Sequence, residues 1–237
     1  MARLGFNIEC IALLRETAGI MDADPVHAAF LAELGGADAV ICPIREEFRP
    51  LSEKDIRILK ATVKVRFDLR LSASDKLMGA ALSIHPDGVT LVPKGKTDST
   101  PNGGLDVIAH EEELDKNIQE LHGQNIVVSC FVDPLLQQIK AAAGLGADYV
   151  ELNAGGIQAA QGRAGRDEFL ETLRDSSLAA SKLNLGVSIG GNIQYRDVSV
   201  IAGIERVEEL RIGRAVAGRA LLIGMEQAVR DMAAMLH

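Results

Sequence analysis

Short apolar runs and helix-like segments alternate along the whole chain, and that alternation restricts the fold more than any other feature. Strands are expected at residues 4–8, 39–42, 64–69, 88–92, 126–132, 148–152, 186–189 and 207–212. Helices are expected between and after them, at residues 24–34, 52–62, 74–82, 112–122, 134–144, 167–183, 195–202 and 218–236. Several carry start signals: Asp24 before Pro25, Ser52 three residues ahead of Asp55, and Asp133 before Pro134. GGADAVI (residues 35–41) and LGADYVEL (residues 145–152) form a weak internal repeat, each ending a helix on glycine and opening an apolar strand. Eight strand–helix units with short turns favour a closed TIM (β/α)8 barrel with additional helices over an open doubly wound sheet. The first strand runs into FNIEC, which offers no Gly-rich dinucleotide fingerprint. No linker or low-complexity tract divides the 237 residues, so one TIM-barrel domain over residues 1–237 is expected.

A barrel strand has no wet face, and this gives VRFDLRLS (residues 65–72) its meaning. Period-two alternation sets Phe67, Leu69 and Leu71 on one side and Arg66, Asp68 and Arg70 on the other. In a barrel the apolar side packs under helices, so the charges face inward, where they must neutralise one another. Arg70 comes last along the strand, nearest the C-terminal rim where barrel sites are built, and is expected to serve the site.

Composition removes other classes. The net charge is 25 − 33 = −8 with no basic run, which speaks against nucleic acid or an anionic membrane surface as partner. No apolar segment approaches the ~20 residues of a membrane span, and the N-terminus lacks a signal-peptide layout. Cys10, Cys42 and Cys130 are far apart with no CxxC, and read as reduced thiols of a cytoplasmic protein. Cys10 and Cys42 are expected to end adjacent strands and to act as small buried hydrophobes. None of His27, His85, His110, His122 and His237 falls on an expected strand end, which leaves the rim without a histidine for acid–base work.

The remaining rim positions follow from the strand ends. Glu151 closes an otherwise apolar strand, either tied to an arginine or acting as a general acid or base. Asn7 either caps a loop or holds a substrate oxygen. SIGGN supplies Gly190, Gly191 and Asn192 after the seventh strand, and RIGRAVAGRA supplies Gly213 and Arg214 after the eighth. Backbone N–H groups at such loops, with a helix N-terminus behind them, form a phosphate cradle. The polar stretch of residues 93–106 reads either as a lid, with Thr100 as contact and Gly103–Gly104 as hinge, or as a plain surface loop.

GFNIECIALLRETAG, DADPVHAAFLAELGGAD, IREEFRPLSEKDIRILK, LVPKGKTDSTPNGGLDV, QIKAAAGLGADYVELNAG and ELRIGRAVAGRAL, in this order, resemble the pyridoxine 5′-phosphate synthase family over essentially the whole chain. The resemblance implies a TIM barrel with extra helices, assembled as a homo-oligomer and working without a metal or other cofactor. It implies condensation of 1-deoxy-D-xylulose 5-phosphate with 3-amino-2-oxopropyl phosphate to close a pyridine ring in vitamin B6 biosynthesis. Asn7, Arg45, Thr100, Glu151 and Gly213 match the family's functional positions. Elsewhere the chain departs: Glu9 and Cys10 stand for Asp-His, Ala18 for a substrate-binding Arg, Pro43 and Gly191 for His, Arg70 for a catalytic Glu, and Arg214 for a phosphate-loop His.

These exchanges trade proton transfer for anion binding, because guanidinium stays protonated and Pro43 and Gly191 cannot move a proton with a side chain. The expected function is that of a family barrel binding a small phosphorylated or otherwise anionic metabolite, held by Arg45, Arg70 and Arg214. Glu151 is the acid or base of a simpler isomerisation, aldol-type cleavage or condensation. Two alternatives stand beside it. One is authentic pyridoxine 5′-phosphate synthesis; the other is a non-catalytic subunit that assembles with an active paralogue.

Overall fold

The computed structural model describes residues 2–94 and 103–236. The chain begins β1 (Arg3–Asn7), α1 (Glu9–Ala18), α2 (Pro25–Gly35), β2 (Ala39–Pro43), α3 (Glu53–Thr62), β3 (Arg66–Ser72) and α4 (Asp75–Ile84). It continues with β4 (Gly88–Val92), α5 (Glu111–His122), β5 (Val127–Val132), α6 (Leu136–Gly144) and β6 (Tyr149–Asn153). The last part holds α7 (Gly156–Ala159), α8 (Gly162–Lys182), β7 (Gly186–Gly190), α9 (Tyr195–Ala202), β8 (Val207–Ile212), α10 (Arg214–Ile223) and α11 (Met225–Ala234). Eight parallel strands pair in sequence order, and β8 closes on β1 with Gly5 opposite Arg211. This is the TIM barrel expected from the strand–helix alternation.

Four details differ from the sequence reading. A helix, α1, begins at Glu9 directly after the first strand, where none was expected, because a single residue separates Asn7 from Glu9 and no Gly or Pro marks the change. Cys10 therefore lies on α1 rather than at a strand end, while Cys42 sits in β2 with its side chain in the apolar core. The long C-terminal helix is two helices, broken at Gly224, whose φ is 85°. The segment before β7 adds the short α7 and an earlier start of α8 at Gly162.

The barrel has two interiors of opposite character. Phe67, Leu69 and Leu71 join the apolar layer between strands and helices. The lumen instead holds Asp68, Thr90, Ser129, Glu151, Ser188, Glu209 and Arg211, all buried, with Ile41 and Phe131 among them outside the apolar layer. Asp68 on β3 reaches Arg211 on β8, and Arg70 on β3 reaches Glu151 on β6. Neither pair of strands is adjacent, so these contacts cross the lumen. Barrels usually fill that space with Val, Ile and Leu; this one fills it with paired charges.

One ion pair fastens the unexpected α1 to its neighbour. Ser52 and Asp55 form the capping box of α3, and Arg15 of α1 donates to both Asp55 oxygens, at 3.1 and 2.6 Å. Burial alone would raise the Asp55 carboxyl, but the hydrogen bonds from Arg15 and Ser52 outweigh it and hold the pKa below the usual 3.8. A depressed carboxyl contributes stability that is complete above its unfolded pKa, about 4. That contribution is lost as pH falls through the lower folded value. Denaturant titrations at pH 7 and pH 3 are therefore expected to show a smaller acid loss in Asp55→Asn than in the parent. An unchanged acid limb would contradict this.

Candidate functional site

Burying a charge is costly unless it is paired and hydrogen-bonded, so the lumen charges must be accounted for one by one. Arg211 is the hub. Its Nε donates to Glu209 at 2.6 Å, Nη2 to Asp68 at 2.9 Å, and Nη1 to the Thr90 hydroxyl and, at 3.3 Å, to Glu151 Oε2. Burial works against this cation, but Glu209, Glu151 and Asp68 together push its pKa above the ordinary arginine value. Glu151 accepts on its other oxygen from Arg70 Nη1 at 2.5 Å, and Asp68 accepts from Arg66 Nε at 2.8 Å. Arg66, Arg70 and Arg211 thus balance Asp68, Glu151 and Glu209, three against three.

Above this network the C-terminal ends of the strands open into a cavity of about 760 Å³. Asn7, Arg45, Arg70, Glu151, Gly191, Asn192, Gly213 and Arg214, all named from the sequence, line it together with Glu9, Cys10 and Pro43. Gly190 and Gly103 do not. Gly190 is buried against the Glu151 carboxylate, where any Cβ would collide, so its lack of a side chain is what lets Glu151 stand in the lumen. Gly103 lies by the end of β5, where a Cβ would sit 3.3 Å from Asp133 Oδ2. Thr100 lies outside the described residues.

Each wall is built by local structure. After β7, Gly191 has φ 93° and Asn192 φ 57°, a left-handed turn that glycine and asparagine tolerate. Buried Asp197 anchors the start of α9 behind this turn, accepting from the Gln194 backbone N–H and Gln158, with Arg166 at 2.9 Å. After β8, Gly213 precedes α10 and packs so closely on β1 that a Cβ would lie 2.7 Å from the Asn7 carbonyl. The first-turn N–H groups of α10 open beside exposed Arg214, which has no hydrogen bond or ion pair among the described residues. On the opposite side Asn7 Oδ1 accepts the Glu9 N–H at 2.9 Å, and Glu9 pairs with Arg45.

Among the described residues the cavity has no histidine. Cys10 reaches it from α1, but burial and then Glu9 push its thiol up, and Arg214 only partly offsets them. Cys42 and Cys130 are fully buried, which raises both thiols, Cys130 to about 12. Arg211 is the residue that sequence reading missed. The signal was there: Glu209 and Arg211 alternate with apolar residues along β8 as Asp68 and Arg70 do along β3, but RIGRA reads first as a glycine loop.

The family model for pyridoxal phosphate biosynthesis protein PdxJ matches residues 4–237. Proteins named pyridoxine 5′-phosphate synthase are similar over the full length. The one from Geobacter sp. (strain M21) is 40% identical, covering 100% of this chain and 99% of its own. The one from Thermosynechococcus vestitus is 42% identical with the same coverage. Among solved structures, thiamine phosphate pyrophosphorylase from Pyrococcus furiosus superposes with a TM-score of 0.66 at 16% identity, covering 99% of this chain and 95% of its own. Phosphoribosylanthranilate isomerase from Thermotoga maritima gives 0.63 at 12%, covering 100% and 98%. At such identities these two show the barrel fold alone.

The hub generates a stability prediction. Arg211→Met leaves Asp68, Glu151 and Glu209 facing only Arg66 and Arg70, and removing one partner from a buried pair typically costs about 3–5 kcal/mol. Chemical denaturation of Arg211→Met is expected to show a loss of that order. Adding Glu209→Gln, which removes one of the stranded anions, should recover part of it. A loss under about 1 kcal/mol would show that the network does not carry the barrel.

Proposed function

Because the chain belongs to the family of pyridoxal phosphate biosynthesis protein PdxJ, we propose that its barrel binds a small phosphorylated or anionic metabolite with altered acid–base chemistry. The observation that carries this reading is the lining of the cavity, where guanidinium groups stand and no histidine does among the described residues. The phosphate sits at the loops after β7 and β8, on the backbone around Gly191–Asn192 and the start of α10, with Arg214 adding a charge-assisted contact. Asn7, whose side-chain nitrogen has no protein partner among the described residues, faces the ligand from β1. Arg45 and Arg70 complete the cationic side.

Glu151 is the group given acid–base work. Each of its two oxygens accepts one guanidinium hydrogen bond, from Arg70 and from Arg211, and keeps a second lone pair for a proton. A step needing one proton transfer fits this arrangement better than ring closure, which needs several. Pro43 and Arg70 stand side by side in register where the family has a histidine and a glutamate, and neither can serve as a base.

A second reading is authentic pyridoxine 5′-phosphate synthesis, the activity for which relatives 40% and 42% identical over the full length are named. One experiment separates the two. The purified protein is mixed with 1-deoxy-D-xylulose 5-phosphate and 3-amino-2-oxopropyl phosphate, and pyridoxine 5′-phosphate is sought by mass spectrometry. Calorimetry measures binding of each substrate in parallel. The lead reading expects binding that weakens about tenfold in Arg214→Ala, and no product above the Glu151→Gln control. Product at a rate well above that control would move the assignment to the second reading.

A further inference from the structure

Most cations around the cavity are already engaged. Arg45 pairs with Glu9, Arg49 with Glu16, Lys94 with Glu113, and Arg211 spends all three nitrogens inside the lumen. Arg70 is different. A guanidinium carries five N–H donors in a planar fork, and of its nitrogens only Nη1 is used, on Glu151. Nε and Nη2 have no protein partner among the described residues, yet the side chain is only 12% exposed and that exposure opens into the cavity. Phe131 covers one face, with Cζ 4.2 Å from the ring centroid, and Glu151 holds one corner. What remains open is the edge of the fork. A side chain fixed at a face and a corner loses little freedom when that edge is filled.

From this we infer that the ligand is a phosphorylated carboxylic acid whose carboxylate seats on the open edge of Arg70. The inference rests on the phosphate end proposed above and adds the chemical identity of the other end. Arg70 and Arg214 approach the same cavity from β3 and from the turn after β8, so they engage two ends of one small molecule. A ligand with a neutral tail would bury the Arg70 edge without an acceptor, which is unfavourable. A planar carboxylate matches the fork with two parallel hydrogen bonds. A second phosphate fits less well, because its double charge would lie beside Glu151.

Two probes with the same carbon skeleton test this: 3-phosphoglycerate, and glycerol 3-phosphate, in which a hydroxymethyl group replaces the carboxylate. Calorimetry on the full chain at about 0.15 M salt, where remote charges are screened, is expected to show 3-phosphoglycerate binding at least about tenfold tighter. In Arg70→Gln that preference should collapse towards parity. Arg70→Lys, which keeps a cation opposite Glu151, should retain part of the preference and serves if the glutamine variant melts early by circular dichroism. Equal affinity of the parent for both probes overturns the inference and leaves the phosphate reading intact, as does a preference that survives Arg70→Gln. Tighter binding of propane-1,3-diol bisphosphate than of 3-phosphoglycerate would overturn the carboxylate assignment alone. Binding of none of the three removes the phosphate reading and this inference with it.

Discussion

The barrel depends on one buried interaction, the contact of Arg211 with Asp68, Glu151 and Glu209 across the lumen. Taking these charges out of water costs several kcal/mol for each ion, and only close, well-directed pairing returns it. Four strands contribute to that pairing: β8 through Arg211 and Glu209, β3 through Asp68, β6 through Glu151, and β4 through Thr90. A change of register on any one of them would leave a charge without its partner. The network therefore specifies how the strands are staggered as well as holding them, in a lumen where apolar packing usually does that work.

The same network shapes the floor of the cavity. Arg211 fixes Glu151 from below, Glu151 fixes Arg70, and Arg70 presents its remaining donors upward. On the role proposed for Arg70, stability and recognition pass through one carboxylate. Small residues are part of the device, since Gly190 gives Glu151 its space and a Cβ at Gly88 would lie 2.7 Å from both Arg66 Nη2 and Asp68 Oδ1.

Much of this was legible in the sequence. Eight strands were located because buried parallel strands are short, apolar and separated by helices, and the period-two pattern of VRFDLRLS placed its charges inside. The glycine loops lining the cavity were identified from their position at strand ends. Helix α1 was not legible, because helix formers come directly after β1 with no breaking residue between. The inward placement of Arg211 was legible in the alternation along β8, but its role as the hub was not. An inward arginine on one strand acquires meaning only when its partners on β3 and β6 are known, and those lie 143 and 60 residues away in sequence. The occupancy of Glu151 by two guanidiniums is likewise a property of closure. From the sequence, the tied carboxylate and the acid–base group were equally available readings.

Glu151 holds Arg70 in place rather than standing near it by accident. A double-mutant cycle measures this directly, using the parent, Arg70→Gln, Glu151→Gln and the double variant in chemical denaturation at neutral pH. Residues sharing one buried network typically show coupling of about 0.5–3 kcal/mol. A favourable coupling in the upper part of that range, about 1.5–3 kcal/mol, is expected. Additive losses, with a coupling within about 0.3 kcal/mol of zero, would mean instead that Arg70 is positioned without Glu151.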